Sequence, residues 1–388
     1  MTSITPVTRI LVLGAGFGGL ELSTRVAERC GDAVQITLID EADGFVFGYS
    51  KLDVMFGKDT AEHVRHLYRD AVMPGVTFVP ATVTAIDPVQ RVVVTSAGSF
   101  EADVLVVALG ADLDPSATPG LLEGGHQFYT NDGAFALRET LAAFAGGRVV
   151  IGVTSAPFKC PPAPSETAML MHEFLSERGL REQSEIALVM PFGRPIPPSP
   201  DASAAILTRF AEFGIEWHPD RLVAGLDPAR RVVLLADNEE MPYDLFLGVP
   251  KHVAPAVVIA AGMTRDGWIP VNPHTLATEF PDVYAVGDVT SAGTPKAGVF
   301  AEGQAGIAAE HIIAKVHGRS SDAEYDGFGR CYLEFGLGAL GQVDITFAPG
   351  KSPEGFLIGP DPALARNKRA FGSERVQRWF GRSWESGA

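Results

Sequence analysis

Two cysteines stand in settings that suit redox chemistry. Cys160 lies in Phe158-Lys159-Cys160-Pro161-Pro162-Ala163-Pro164, and Cys331 in Gly329-Arg330-Cys331-Tyr332-Leu333. They are 171 residues apart and can meet only by tertiary contact. The thiolate is the reactive form of cysteine, and a nearby cation and a helix N-terminus both stabilise it. Lys159 and a helix expected from about Ser165 offer both to Cys160. Glu166, six residues on, could take a proton from a sulfur nucleophile, though an acid in a helix's first turn is equally ordinary. Lys296, in Thr294-Pro295-Lys296-Ala297-Gly298, places another cation before a helix starting near Gly298. Two inert buried cysteines are the alternative reading, but a proline-braced turn is not a core face. Cys30, beside Gly31, reads as a helix-end residue. No Cys/His cluster has metal-ligand spacing, so no metal is expected.

The elements around these residues suggest a dinucleotide site. Arg9 to Leu13 is an apolar strand running into Gly14-Ala15-Gly16-Phe17-Gly18-Gly19, and Leu20 to Arg29 has helical periodicity. The next strand, Val34 to Ile39, delivers Asp40, 21 residues beyond Gly19. Glycines permit a tight turn, the helix N-terminus faces a pyrophosphate, and the acid reaches a ribose. A second apolar strand, Arg148 to Val153, should also end in such a loop. Its sequel, 154–162, holds three prolines, Cys160 and no glycine. Proline removes backbone donors, so NAD(P)H binding is not expected there.

The chain of 388 residues has a net charge of −16, with 46% hydrophobic and 20% charged residues. That composition suits a globular protein of two or three domains and argues against a nucleic-acid partner. No signal-peptide pattern opens it and no apolar run could span a bilayer, so a cytoplasmic location is expected. The pattern repeats loosely. The first half runs strand, helix, strand, a polar meander (76–100), then LVVALG. The second runs RVVIGV, a helix near 165–178, EIALVMP, a helix near 202–213, a meander (221–235), then VVIAAG at 257–262. The expected fold is α/β, with two Rossmann-like doubly wound domains in tandem plus a smaller C-terminal segment. The domains would be 1–111 and 247–318 (cofactor domain and its return), 112–246 (second Rossmann-like domain with a degenerate loop) and 319–388.

This arrangement resembles the two-dinucleotide-domain flavoproteins of the pyridine nucleotide–disulfide oxidoreductase family over roughly 8–318. Thr275 to Asp288 (TLATEFPDVYAVGD) resembles their distal FAD signature, and Ala102 to Gly110 (ADVLVVALG) their A-T-G strand, with Leu109 replacing threonine. The cysteine settings resemble the sulfide:quinone oxidoreductase and flavocytochrome c sulfide dehydrogenase group, where a K/R-C-x-x-A/G-P motif follows the second unit's first strand and another cysteine comes from the C-terminal segment. The resemblance implies FAD, held by Gly14, Gly16, Gly18, Gly19, Asp40, Val83, Ala108, Gly110, Gly287, Asp288 and Lys296. It implies that Cys160 and Cys331 meet over the flavin as a redox disulfide or polysulfide bridge, with Glu166 and Lys296 supporting catalysis and His252 lining the same site. Sulfide or a small persulfide-forming thiol would be oxidised, and a quinone would accept the electrons. The group's quinone reductases often carry a third cysteine upstream, yet none lies between 31 and 159 here. Two rivals are an NADH:quinone reductase, which needs the missing glycine loop, and a flavin-bearing redox sensor, which would be reduced once and stop. The tail RNKRAFGSERVQRWFGR, with Phe371, Trp379 and Phe380, is either an interfacial helix touching the inner face of a membrane or a terminal helix packed on its own protein.

Overall fold

Two parallel five-stranded sheets organise the chain. The computed structural model describes residues 7–71 and 73–385. In the first sheet the strand order is Val283–Ala285, Val104–Val107, Thr8–Leu13, Val34–Asp40 and Val76–Pro80. In the second it is His126–Gln127, Leu245–Val249, Gly147–Val153, Ser184–Val189 and Ile215–His218. From each central strand outward the order is the same, so the repeat read in the sequence is a duplicated sheet. The central strands are buried on both faces, which is why they read as apolar runs rather than as alternations. A three-stranded antiparallel meander follows at the matching place in each unit, at 83–101 and 223–242.

One expected strand is misplaced. VVIAAG at 257–262 does not close the second sheet. That place belongs to Leu245–Val249, buried at every residue and paired in parallel with both 126–127 and 147–153. Val257, Val258 and Ile259 suit a strand, but they fall in the short helix Ala256–Ala260, begun after Pro255 and closed by Gly262 at φ 67°. The chain therefore leaves the second sheet after Val249, not at 247. Its return segment, Lys251–Val253, pairs antiparallel with the outgoing one, Asp112–Asp114.

The C-terminal segment joins both units. Its three-stranded sheet (Phe328–Glu334, Leu340–Thr346, Glu354–Ile358) puts Leu333, Val343 and Ile345 into the second unit's core. Its helix, Ala365–Phe380, puts Val376, Trp379 and Phe380 into the first unit's core beside Phe45, Phe47 and Tyr68. The Trp379 indole N–H donates to Glu21 at 3.1 Å, and Arg378 bonds Glu21 and Glu28. Of the two readings of the tail, the structure has the packed helix. No helix among the described residues is long and apolar enough to cross a membrane. Trp379→Ala should lower unfolding free energy in denaturant by about 3–5 kcal/mol, the usual cost of deleting a fully buried indole.

Candidate active site

The loop after Gly147–Val153 carries Cys160 and is tied to the first unit. Cys160 N–H donates to the Lys296 carbonyl at 2.8 Å, where the two loops bridge in parallel. Cys160 has φ 47°, a left-handed conformation that a side-chain-bearing residue keeps only when its surroundings hold it. The helix Ala163–Glu177 starts immediately afterwards, Ala163 N–H donating to the Cys160 carbonyl at 2.8 Å. Two buried acids on that helix then grip the strand bearing Cys331 and the turn after it: Glu166 accepts from Glu334 N–H at 2.9 Å, and Glu173 from Leu337 N–H. The helix that follows one cysteine thus positions the other. Both thiols line one cavity of about 200 Å³, together with Lys51, Tyr129, Glu166, Asp288 and Lys296. Both are free thiols in this structure.

Burial dominates the electrostatics. Cys160 is exposed as a residue, yet the protein packed around its sulfur raises its pKa by desolvation, aided by Glu166 and Cys331. The lysine that opposes this rise is Lys51. Lys159 donates to the Ala111 carbonyl at 2.7 Å and lines the same cavity. Cys331 is pushed up to about 12 by burial, with Glu166 and Asp344 adding to the shift. Glu166 is pushed up to about 8 by burial, which Lys368 opposes and Glu334 reinforces, so its carboxyl holds a proton at neutral pH. Lys296 is lowered to about 8 by burial. It lies 3.2 Å from the Trp268 ring centroid and donates to the Asp288 and Thr290 carbonyls. His252 does not line the cavity. Its Nδ1–H donates to the Pro250 carbonyl, and its ring packs edge-on against Tyr129, centroids 5.3 Å apart. Cys30 is remote, its sulfur 4.0 Å from His317.

The glycine turn fits a dinucleotide. A Cβ at Gly14 would fall 2.3 Å from the Ala108 carbonyl oxygen, and one at Gly19 would fall 1.8 Å from that of Gly14. At Gly16 a Cβ would meet nothing within 4 Å, so the turn is closed on its protein side and open where a pyrophosphate would lie. No side chain caps the helix Phe17–Cys30, leaving its first N–H groups available to an anion. Asp40 is held beside the turn, accepting from Ala15 N–H at 2.6 Å and Ala42 N–H at 2.8 Å. Its own carbonyl accepts from Ala81, two residues before Val83. Gly18 lets the helix approach Val286, and Gly287 (φ 81°) donates its N–H to Gln304. Ala108 bonds the first strand, Gly110 turns at φ 70°, and the Asp288 carboxylate lines the cavity.

Residues 8–305 match the family described as pyridine nucleotide-disulphide oxidoreductase. The chain belongs to that family. It is an FAD-binding oxidoreductase. It is 25% identical to mouse mitochondrial sulfide:quinone oxidoreductase over 362 residues, 88% of this chain and 79% of the mouse protein. The solved sulfide:quinone oxidoreductase of Aquifex aeolicus shares its fold, with a TM-score of 0.83 at 20% identity, covering 96% of this chain and 92% of the other. NDH2 of Plasmodium falciparum in complex with NADH superposes with a TM-score of 0.73 at 11% identity, over 97% of each chain.

Among these family features lie residues that sequence reasoning passed over. Lys51 and Asp53 sit on the helix Ser50–Met55, whose other residues are all buried, and that apolar context was their only signal. Lys51 Nζ donates to the Tyr129 carbonyl at 2.5 Å. Gly16→Val should give a folded protein that purifies without FAD, as read from its absorption spectrum. Asp288→Ala should weaken FAD binding about 10-fold, the loss of a charge-assisted hydrogen bond.

Proposed function

We propose that this enzyme oxidises sulfide, or a small persulfide-forming thiol, at Cys160 and Cys331 and passes the electron pair to a quinone. The carrying observation is that two distant cysteines line one cavity with Asp288 and Lys296 from the FAD segment. Relatives named as sulfide:quinone oxidoreductases support the donor and acceptor. FAD, when bound, supplies the two-electron carrier between them.

In this reading the oxidised enzyme joins Cys160 and Cys331. The substrate sulfur bonds to the Cys331 sulfur, the cysteine–cysteine bond breaks, and its electron pair leaves on Cys160. Lys51 is the cation placed to favour that anion at Cys160, while Glu166 lies near both sulfurs. Glu166, protonated at neutral pH, is a proton donor beside the two sulfurs once the cysteine–cysteine bond breaks. Phe17, Tyr49, Phe128 and Phe371 give the cavity an aromatic wall suited to a quinone ring.

The NADH-dependent alternative lacks a site. Gly152 is the loop's nearest glycine, and a Cβ there would fall 2.6 Å from Val223 and 2.8 Å from Phe246. It serves the packing of sheet against meander rather than a phosphate. Rapid mixing tests the assignment: sulfide should bleach the flavin repeatedly when a quinone is present, and NADH should not. Reduction by NADH within seconds would overturn the reading, and a single reduction without turnover would mark a sensor. Cys160→Ser and Cys331→Ser should each lose sulfide-driven reduction by at least about 1000-fold while retaining FAD. Cys30→Ser should match the parent. Peptide mapping of the oxidised protein should find Cys160 linked to Cys331, directly or through extra sulfur.

A further inference from the structure

Lys51 lines the cavity, and its buried ammonium has no carboxylate in ion-pair distance among the described residues. Its one hydrogen-bond acceptor there is the Tyr129 carbonyl. A cation deep in a protein without a counter-ion is costly, and it is ordinarily balanced by an anion. Tyr129 lines the same cavity, is only 6% exposed, and its hydroxyl has no hydrogen-bond partner. An unpartnered buried hydroxyl is likewise costly unless a ligand completes it. Aromatic packing fixes the ring, His252 lying edge-on to it and Phe128 at 5.0 Å between centroids. A cation with no carboxylate at ion-pair distance and an unpartnered buried hydroxyl therefore lie close to Cys160.

We infer that Lys51 and Tyr129 form a binding station for a small sulfur anion, hydrosulfide or a compact thiolate, beside the cysteine pair. The inference rests on the donor chemistry proposed above and names the groups that would hold that donor. In the oxidised enzyme Cys160 is bonded and uncharged, so the Lys51 charge is available to the incoming anion. When the anion's sulfur bonds to Cys331 and the electron pair leaves on Cys160, the negative charge moves from substrate to Cys160. Both positions are served by the same ammonium. An interaction present before and after a step lowers the half-saturating concentration without much changing the limiting rate.

The test compares the holoenzyme with Lys51→Met, Lys51→Arg and Tyr129→Phe, each first checked for FAD content. Stopped-flow flavin reduction is followed across sulfide concentrations. Thiocyanate, a sulfur-bearing anion that does not reduce flavin, serves as competitor and as a spectral titrant of the oxidised protein. Lys51→Met should raise the half-saturating sulfide concentration and the thiocyanate inhibition constant about 10-fold or more, with the limiting rate within about threefold. Lys51→Arg should recover most of the affinity. Tyr129→Phe, which keeps the ring's packing, should show a smaller shift of the same kind and carries the test if Lys51→Met loses FAD. Unchanged sulfide and thiocyanate affinities in Lys51→Met and Tyr129→Phe would overturn the station and leave the donor assignment intact. If sulfide failed to bleach even the parent while thiocyanate still bound in a Lys51-dependent way, the station would stand and the donor assignment would fall.

Discussion

The site depends on one buried ammonium. Lys368, 2% exposed on the C-terminal helix, contacts Glu334 directly and feels Asp53 and Glu166 as well. Its partners come from three other elements: the helix Ser50–Met55, the helix after Cys160, and the strand bearing Cys331. One positive charge cannot balance three buried carboxylates. Glu334 is the carboxyl in direct contact, and Asp53 and Glu166 are both raised by burial. Removing Lys368 would leave several acids without compensation, a far larger cost than losing a surface pair. The docking of the C-terminal helix and the protonation of an acid facing the cysteines are therefore the same electrostatic fact.

This explains why the C-terminal segment is part of the catalytic unit rather than an appendage. Its sheet packs into the second unit and its helix into the first, so the cavity exists only when all three pieces are assembled. Glu166 serves both ends of the arrangement. One oxygen holds the Glu334 N–H, fixing the strand of Cys331, and the carboxyl lines the cavity beside Cys160. A reading of Glu166 as only a helix-start acid would miss the first role, because the backbone it bonds is 168 residues away.

What could be read from the sequence follows the range of the interactions involved. The turn Gly14–Gly19, Asp40 and Gly287-Asp288 were legible because strand, turn, helix and acid recur at fixed local spacing. That Cys160 and Cys331 line one cavity was legible from their motif settings, not from any derivation of contact. Lys51, Tyr129, Asp53 and Lys368 were not legible, since each looks like an ordinary residue until distant elements surround it. The misplaced strand at 257–262 shows the same limit. β-Branched residues fit a strand locally, but the sheet had one vacancy, and Leu245–Val249 occupied it between two partners.

The duplicated sheets make the chemistry of the second unit intelligible. Ligands of such sheets bind beyond the carboxyl ends of the central strands, and in the first unit that position is built from backbone N–H groups and glycines. In the second unit the same position presents a side chain instead. Gly152 has been turned to core packing against Val223 and Phe246, and the loop beyond it reaches across to the first unit. Cys160 sits there in a left-handed conformation, held by the Lys296 carbonyl on one side and the start of its own helix on the other. A phosphate-binding turn needs free donors and a flexible backbone. A redox thiol needs a fixed sulfur and a nearby cation. Prolines at 157, 161 and 162 give up the first set of properties; in the proposed chemistry the bond to the Lys296 carbonyl fixes Cys160 and Lys51 is the nearby cation. The architecture that elsewhere brings electrons in as a bound nucleotide here presents a sulfur atom in the equivalent place.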